Sequence, residues 1–152
     1  MDDGLRRRVL VVDDDRAILE LVCTRLTLAG YDAFAARDGA EALERISGLR
    51  PQAMVLDLNM PRLDGFGVLQ TLGRERAQKL PTLVLTARHG ASDVQRAVSL
   101  GARDYLAKPF KDANLLMRVG RLFRPRGQAL SLDDTFAEMD RMLAKPGTVA
   151  AG

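Results

Sequence analysis

The chain has 152 residues, 47% of them apolar with few aromatics, and a formal net charge of +3. That is the length and composition of one domain with a sizeable core, not of a disordered chain, and the arginines are scattered among the acids with no long block of like charge to mark a nucleic-acid partner. A single cysteine excludes an internal disulfide, and the acidic start Met1-Asp2-Asp3-Gly4, with no long apolar run anywhere, excludes a signal peptide or membrane span and leads us to expect a cytoplasmic protein.

In chain order, Arg6-Arg7-Arg8 leads into Val9-Leu10-Val11-Val12, an unbroken run of the kind found in central parallel strands, which ends on Asp13-Asp14-Asp15. Arg16 to Ala29 has Ile18, Leu19, Val22, Leu26 and Ala29 at helical spacing and stops at Gly30, with Cys23 inside the pattern as a structural thiol. Tyr31 to Ala36 reads as a second strand, and Gly39 to Ser47 as a helix closed by Gly48. Ala53 to Asp57 is a third strand. A Pro- and Gly-marked loop follows, in which Asp64 suits a cap for a third helix over Phe66 to Arg76. Pro81 to Thr86 is a fourth strand, Ala91 to Leu100 a fourth helix ended by Gly101, Asp104 to Leu106 a short fifth strand, and Lys111 to Phe123 a fifth helix. Strict alternation of strands and helices predicts an α/β fold, a doubly wound parallel sheet with helices on both faces.

In such sheets ligands collect at the carboxyl ends of the strands. The loop after the first strand is Asp13-Asp14-Asp15, where a nucleotide binder would want Gly, Ser or Thr to present amides to phosphate. These acids and Asp57 should meet side by side, which is costly unless a cation lies among them, and an oxygen-only donor set suits Mg²⁺, with Mn²⁺ as the alternative. No zinc site can be built from His89 and Cys23. Thr86 closes the fourth strand with a hydroxyl, and Lys108 follows the fifth, just before Pro109. A carboxylate, a divalent cation, a hydroxyl and an ammonium together make a site for phosphoryl transfer onto Asp57. His89, in a loop beside Gly90, reads as a solvated loop histidine and not as a phosphocarrier.

At these residues the sequence resembles the receiver domain of bacterial two-component response regulators, chemotaxis-regulator-like. The matching stretches are Val9 to Asp15, Val55 to Pro61 with Asp64-Gly65, Leu85-Thr86-Ala87, and Gly101-Ala102 through Asp104-Tyr105-Leu106-Ala107-Lys108-Pro109-Phe110. The resemblance implies a flavodoxin-like five-stranded sheet of order 2-1-3-4-5. It implies that Asp57 is the phosphoacceptor, that Asp14, Asp57 and the backbone carbonyl of Asn59 contact the metal directly, and that Asp13 acts through water. By the same resemblance Thr86 and Lys108 contact phosphoryl oxygens, Tyr105 is the aromatic whose rotamer reports the state, and the Lys108-Pro109 bond is often cis. The partners it implies are a histidine kinase or phosphotransfer protein on one side. On the other are a downstream protein or a second copy, reached through a face made of the fourth helix, fifth strand and fifth helix. Arg88 and Asn59 border the site and are expected to tune phosphoryl lifetime. Arg103 departs from the acid usual there in the transcription-factor subfamily, where that acid joins charge pairs across a dimer, and so argues against that dimer.

The expected division is a receiver over 7–124, a linker over 125–130, an amphipathic helix over 131–145 and a tail over 146–152. Ser131 would cap that helix, and Leu132, Phe136, Met139 and Leu143 would share one face. The leading expectation is a phosphorylation-operated switch that catalyses at most its own phosphorylation and dephosphorylation. The alternative is the N-terminal receiver of a longer regulator with a DNA-binding or enzymatic output domain. A remote one, an aspartyl-phosphate phosphatase of the haloacid dehalogenase type, would want Asp where Asn59 stands.

Overall fold

A computed structural model describes residues 6–87 and 91–124. Five parallel strands, β1 (Arg8–Val12), β2 (Asp32–Ala36), β3 (Ala53–Asp57), β4 (Thr82–Thr86) and β5 (Asp104–Ala107), form one sheet in the order β2-β1-β3-β4-β5. The helices are α1 (Arg16–Leu28), α2 (Gly39–Leu49), α3 (Gly65–Leu72), α4 (Arg74–Lys79), α5 (Ala91–Ser99) and α6 (Asp112–Leu122).

Both faces of the sheet are covered, which is why its central strands carry continuous apolar runs and do not alternate. On one face Val9, Val11, Val55, Leu83, Leu85 and Leu106 pack with Leu19, Val22 and Leu26 of α1 and Leu115, Val119 and Leu122 of α6. On the other, Leu10, Val12, Met54, Leu56 and Val84 pack with Ala42 of α2, Phe66, Val68 and Leu69 of α3, Ala77 of α4 and Val94 and Ala97 of α5. β2, at the edge, is the strand left partly exposed.

Two elements differ from expectation. The third predicted helix is two, because Gly73 at φ 83° closes α3, its N–H reaching Leu69 and Gln70 carbonyls, and turns the chain into α4. Among the described residues there are therefore six helices where five were expected. The second helix runs through Gly48 and ends instead at Arg50, left-handed at φ 49°. The reason lies in Arg8, whose guanidinium donates to the carbonyls of Leu49 and Arg50 and so satisfies the end of a longer helix. The expected linker, C-terminal helix and tail, and Arg88 and His89, lie outside the described residues. No helix among those described is long and apolar enough to cross a membrane.

Candidate functional site

Parallel register sets the site. Val12 pairs with Leu56, and Asp57 with Leu85, so Asp13, Asp57 and Thr86 follow one another across the carboxyl edge of β1, β3 and β4. Thr86 pairs with Ala107, and the Lys108 amide continues the ladder to the Thr86 carbonyl at 2.8 Å, which carries Lys108 to the same edge. The Lys108-Pro109 peptide is cis.

Six aspartates lie at or just beyond this edge, and they divide into two kinds. Asp15, Asp38 and Asp64 are helix N-caps: Asp15 accepts from the amides of Ala17 and Ile18, Asp38 from Glu41, and Asp64 from Gly67. Asp64 thus fills the capping role expected of it. Asp13, Asp14 and Asp57 cap nothing, and each brings a carboxylate oxygen within 4.8 Å of the other two. Asp13 and Asp57 are buried, whereas Asp14 is exposed at the mouth.

Local backbone holds the buried pair in place. Asp13 Oδ1 accepts from the Asp15 amide at 2.9 Å and Asp57 Oδ1 from the Asn59 amide at 3.1 Å. Gly65 lets the loop after β3 fold back on its own strand: a Cβ there would lie 2.5 Å from the Asp57 carbonyl oxygen and 2.9 Å from Leu58 Cα.

Lys108 Nζ reaches into the cluster, 2.9 Å from Asp13 Oδ2 and 3.5 Å from Asp57 Oδ1. One ammonium against three carboxylates leaves the site two charges negative when all are ionised. Burial, and then the charge of Asp13, push the Asp57 carboxyl up to about 6, despite the Asn59 amide and Lys108 pulling the other way. For Lys108, burial pulls the ammonium down, but the hydrogen bond to Asp13 and the charges of Asp57 and Asp13 more than offset it, so its pKa is raised. The donors are all oxygen and their excess charge is that of one divalent cation, which fits a hard metal.

Thr86 is buried beside this cluster, and Tyr105, on β5, is fully buried in the core cluster that also contains Val94, Ala97 and Ala102. The sequence reading missed what surrounds Tyr105. Arg118 of α6 is only 3% exposed, donates to Asp104 Oδ1 at 2.7 Å and holds its guanidinium 5.4 Å from the Tyr105 ring centroid. The signal was available: Arg118 stands among Leu115, Val119 and Leu122 on the buried face of its helix, where an unpaired charge would not be tolerated. Arg103 is likewise engaged within the chain, donating to the carbonyls of Leu122 and Arg124. Cys23 is a half-buried thiol whose pKa burial raises, as expected of a structural cysteine.

A five-stranded 2-1-3-4-5 sheet with an acidic cluster and a lysine at its carboxyl edge defines a class, and comparison with known proteins gives the same one. The family model for the response regulator receiver domain matches residues 9–120, and the chain belongs to that family, the receiver of two-component signalling. Among individual proteins it is 46% identical over 135 residues to the response regulator MprA of Mycobacterium avium, and 45% identical over 135 residues to that of Mycobacterium tuberculosis H37Rv. These matches cover 87% of this chain and 59% and 58% of those proteins, so the chain spans about three-fifths of the length of the relatives it matches. The fold is similar to the Vibrio cholerae chemotaxis protein CheY4 (TM-score 0.74, 32% identity, 78% of this chain and 100% of that one). It is also similar to the receiver domain of Francisella response regulator 1452 (TM-score 0.71, 34% identity, 77% and 96%).

Proposed function

We propose that this receiver is switched by phosphorylation of Asp57. The observation that carries the reading is the convergence of Asp13, Asp14 and Asp57 within 4.8 Å, with Lys108 Nζ at 2.9 and 3.5 Å from two of them. Asp14, Asp57 and the carbonyl of Asn59 would hold Mg²⁺ directly, with Asp13 acting through water. Bound there, the ion would neutralise the excess charge of the acids and the charge of an incoming phosphoryl group.

The chain's own part in the transfer follows. An Asp57 carboxylate oxygen attacks the phosphorus of a phosphohistidine on a kinase or phosphotransfer protein. The new P–O bond forms as the P–N bond breaks, and its electron pair leaves with the imidazole, which picks up a proton. Lys108 and Thr86 hold the phosphoryl oxygens as charge shifts onto Asp57. Arg88 and Asn59 at the rim tune how soon water removes the group, so the chain catalyses at most its own phosphorylation and dephosphorylation. The added charge draws the Thr86 hydroxyl in, and Tyr105 exchanges between its buried packing and an outward one. The face of α5, β5 and α6 then differs between two populations, which a protein partner or second copy can distinguish. The site of action is the cytoplasm.

The test is uptake of phosphate from acetyl phosphate with and without Mg²⁺, read on a phosphate-affinity gel. The reading expects one retarded band that requires the ion and is absent from Asp57→Asn. A band that survives the substitution would remove Asp57 from the mechanism. A second reading, that the chain is the receiver of a longer regulator with an output domain, is favoured by the three-fifths coverage of its relatives. Coding sequence continuing beyond Gly152 would establish it.

A further inference from the structure

We propose that residues 131–143 of this chain dock in cis on the end of the domain opposite the acidic site, over the exposed end of α1. Three observations meet there.

The first is where α6 delivers the chain. Phe123 stacks on Tyr31 with ring centroids 5.7 Å apart, and the Arg7 guanidinium lies 4.5 Å from its centroid. Arg103 Nη1 donates to the carbonyls of Leu122 at 2.9 Å and Arg124 at 3.3 Å. The exit point is therefore held from two sides, beside the turn that follows α1. From it, the six residues 125–130 reach at most ~20 Å.

The second is an uncovered apolar face. Leu28 is 74% exposed, against 36% for Leu21 and 43% for Met117, the other large apolar side chains exposed among the described residues. Leu28 lies three residues before Tyr31, next to the exit, and Leu21 lies two turns earlier on the same side of α1. Leu132, Phe136, Met139 and Leu143 supply a matching apolar series.

The third is charge. Arg6, Arg7, Arg50 and Arg124 are exposed around this end, with Arg121 half-buried and Asp32 an exposed acid among the described residues there. Residues 131–143 carry Asp133, Asp134, Glu138 and Asp140 against Arg141 alone, three net negative charges. A segment this short is marginal as an isolated helix, and it offers far less surface than the ~1,200 Å² at which stable associations between separate molecules begin. A six-residue tether supplies effective concentrations of order millimolar, so such a contact persists within one chain where it would not between two.

The experiment uses the full 152-residue chain with Cys23→Ser, carrying either Leu28→Cys with Phe136→Cys or, as control, Gln70→Cys with Phe136→Cys, Gln70 being exposed on the other helical layer. Mild oxidation should give an intramolecular disulfide in the first several-fold faster than in the control, at a rate independent of protein concentration. Asp133→Lys with Asp140→Lys, or high salt, should slow it. A rate equal to the control overturns the proposal, and so does a covalent dimer that grows with concentration, which would assign the face to a second copy. Hydrogen exchange on the unsubstituted chain and on Leu28→Glu is the second readout. Amides of 131–143 should be protected in the first and lose protection in the second, and amides that exchange freely in the unsubstituted chain overturn the docking.

Discussion

The two ends of the sheet obey the same electrostatics and reach different outcomes. At the carboxyl end, where helices begin, aspartates are the favoured residues, because helix N-termini present unsatisfied amides and the positive end of the dipole. At the amino end, where helices finish, arginines are favoured for the converse reason. Arg8 at the start of β1 meets the last carbonyls of α2, and Arg103, just before β5, meets those of α6. Every arginine so described is satisfied by backbone. At the other end Asp15, Asp38 and Asp64 cap helices, whereas Asp13, Asp14 and Asp57, although Asp13 and Asp57 each accept one backbone amide, are left facing one another with a single lysine. Stability alone would not keep that surplus, so one end reads as scaffold and the other as scaffold plus site.

The sharpest break of this comparison is Asp57→Asn, which should do opposite things to function and stability. Phosphoryl uptake should fall to background. Stability should rise, because the folded state raises the Asp57 carboxyl from 3.8 to about 6, and holding it ionised at pH 7 costs roughly 3 kcal/mol. The sign follows from the raised value: the cost is complete above pH 6, shrinks as pH falls through that value and is gone below 3.8. Urea unfolding should therefore show the variant ahead at pH 7, with the gap narrowing at pH 5. In the parent, added Mg²⁺ should stabilise more at pH 7 than at pH 5. A variant less stable than its parent at pH 7 would mean that the ionised Asp57 carboxylate is not a cost to the fold.

The next effect lies toward the scaffold end. Arg118→Met leaves Asp104 buried without the guanidinium that hydrogen-bonds it, and breaking a buried pair from one side costs about 3–5 kcal/mol. Burial already raises the Asp104 carboxyl, with Arg118 the leading influence against it, so the orphaned acid should take up a proton on folding. Unfolding midpoints should drop sharply while Asp57 still accepts phosphate, and adding Asp104→Leu should recover most of the loss. Loss of uptake at matched stability would tie Arg118 to the site and erase the division between the ends.

How much of this the sequence displays depends on which interactions are local. Strand and helix identities follow from apolar spacing within single segments, and the site follows from four residue types at strand ends, because parallel register turns the ends of separate segments into neighbours. Local turn chemistry misleads in two places. Gly48 has a stop signal but sits inside α2, because the last carbonyls of that longer helix are satisfied by Arg8, forty residues away. Gly73 lacked any break in periodicity to mark it, and only its positive φ splits α3 from α4. The Asp104–Arg118 pair and the Arg103 clamp are contacts between elements, invisible to a pattern read along one element, although a charge on an apolar helical face was a sign that something awaited it.

Arg103→Ala removes two hydrogen bonds from a charged donor to carbonyls at the end of α6, and about 1–2 kcal/mol should go with them. Glu75→Gln is the floor. Lys79 and Glu75 form an i,i+4 pair on α4 at 3.6 Å, but their side chains are 76% and 85% exposed, and water and salt leave such pairs worth at most about 0.5 kcal/mol. Both substitutions remove one charged interaction near a helix end, so contact counting would rank them alike. Desolvation ranks them differently: Arg103 is half-buried, and the Leu122 carbonyl it serves loses its donor without full access to water, whereas Lys79 simply rehydrates. Unfolding at low and high salt separates the two accounts. The loss in Arg103→Ala should persist in high salt, while the difference between Glu75→Gln and its parent should vanish. Equal losses from the two would mean that the arginines of the amino end are surface decoration, and the contrast between the ends would reduce to the acidic cluster alone.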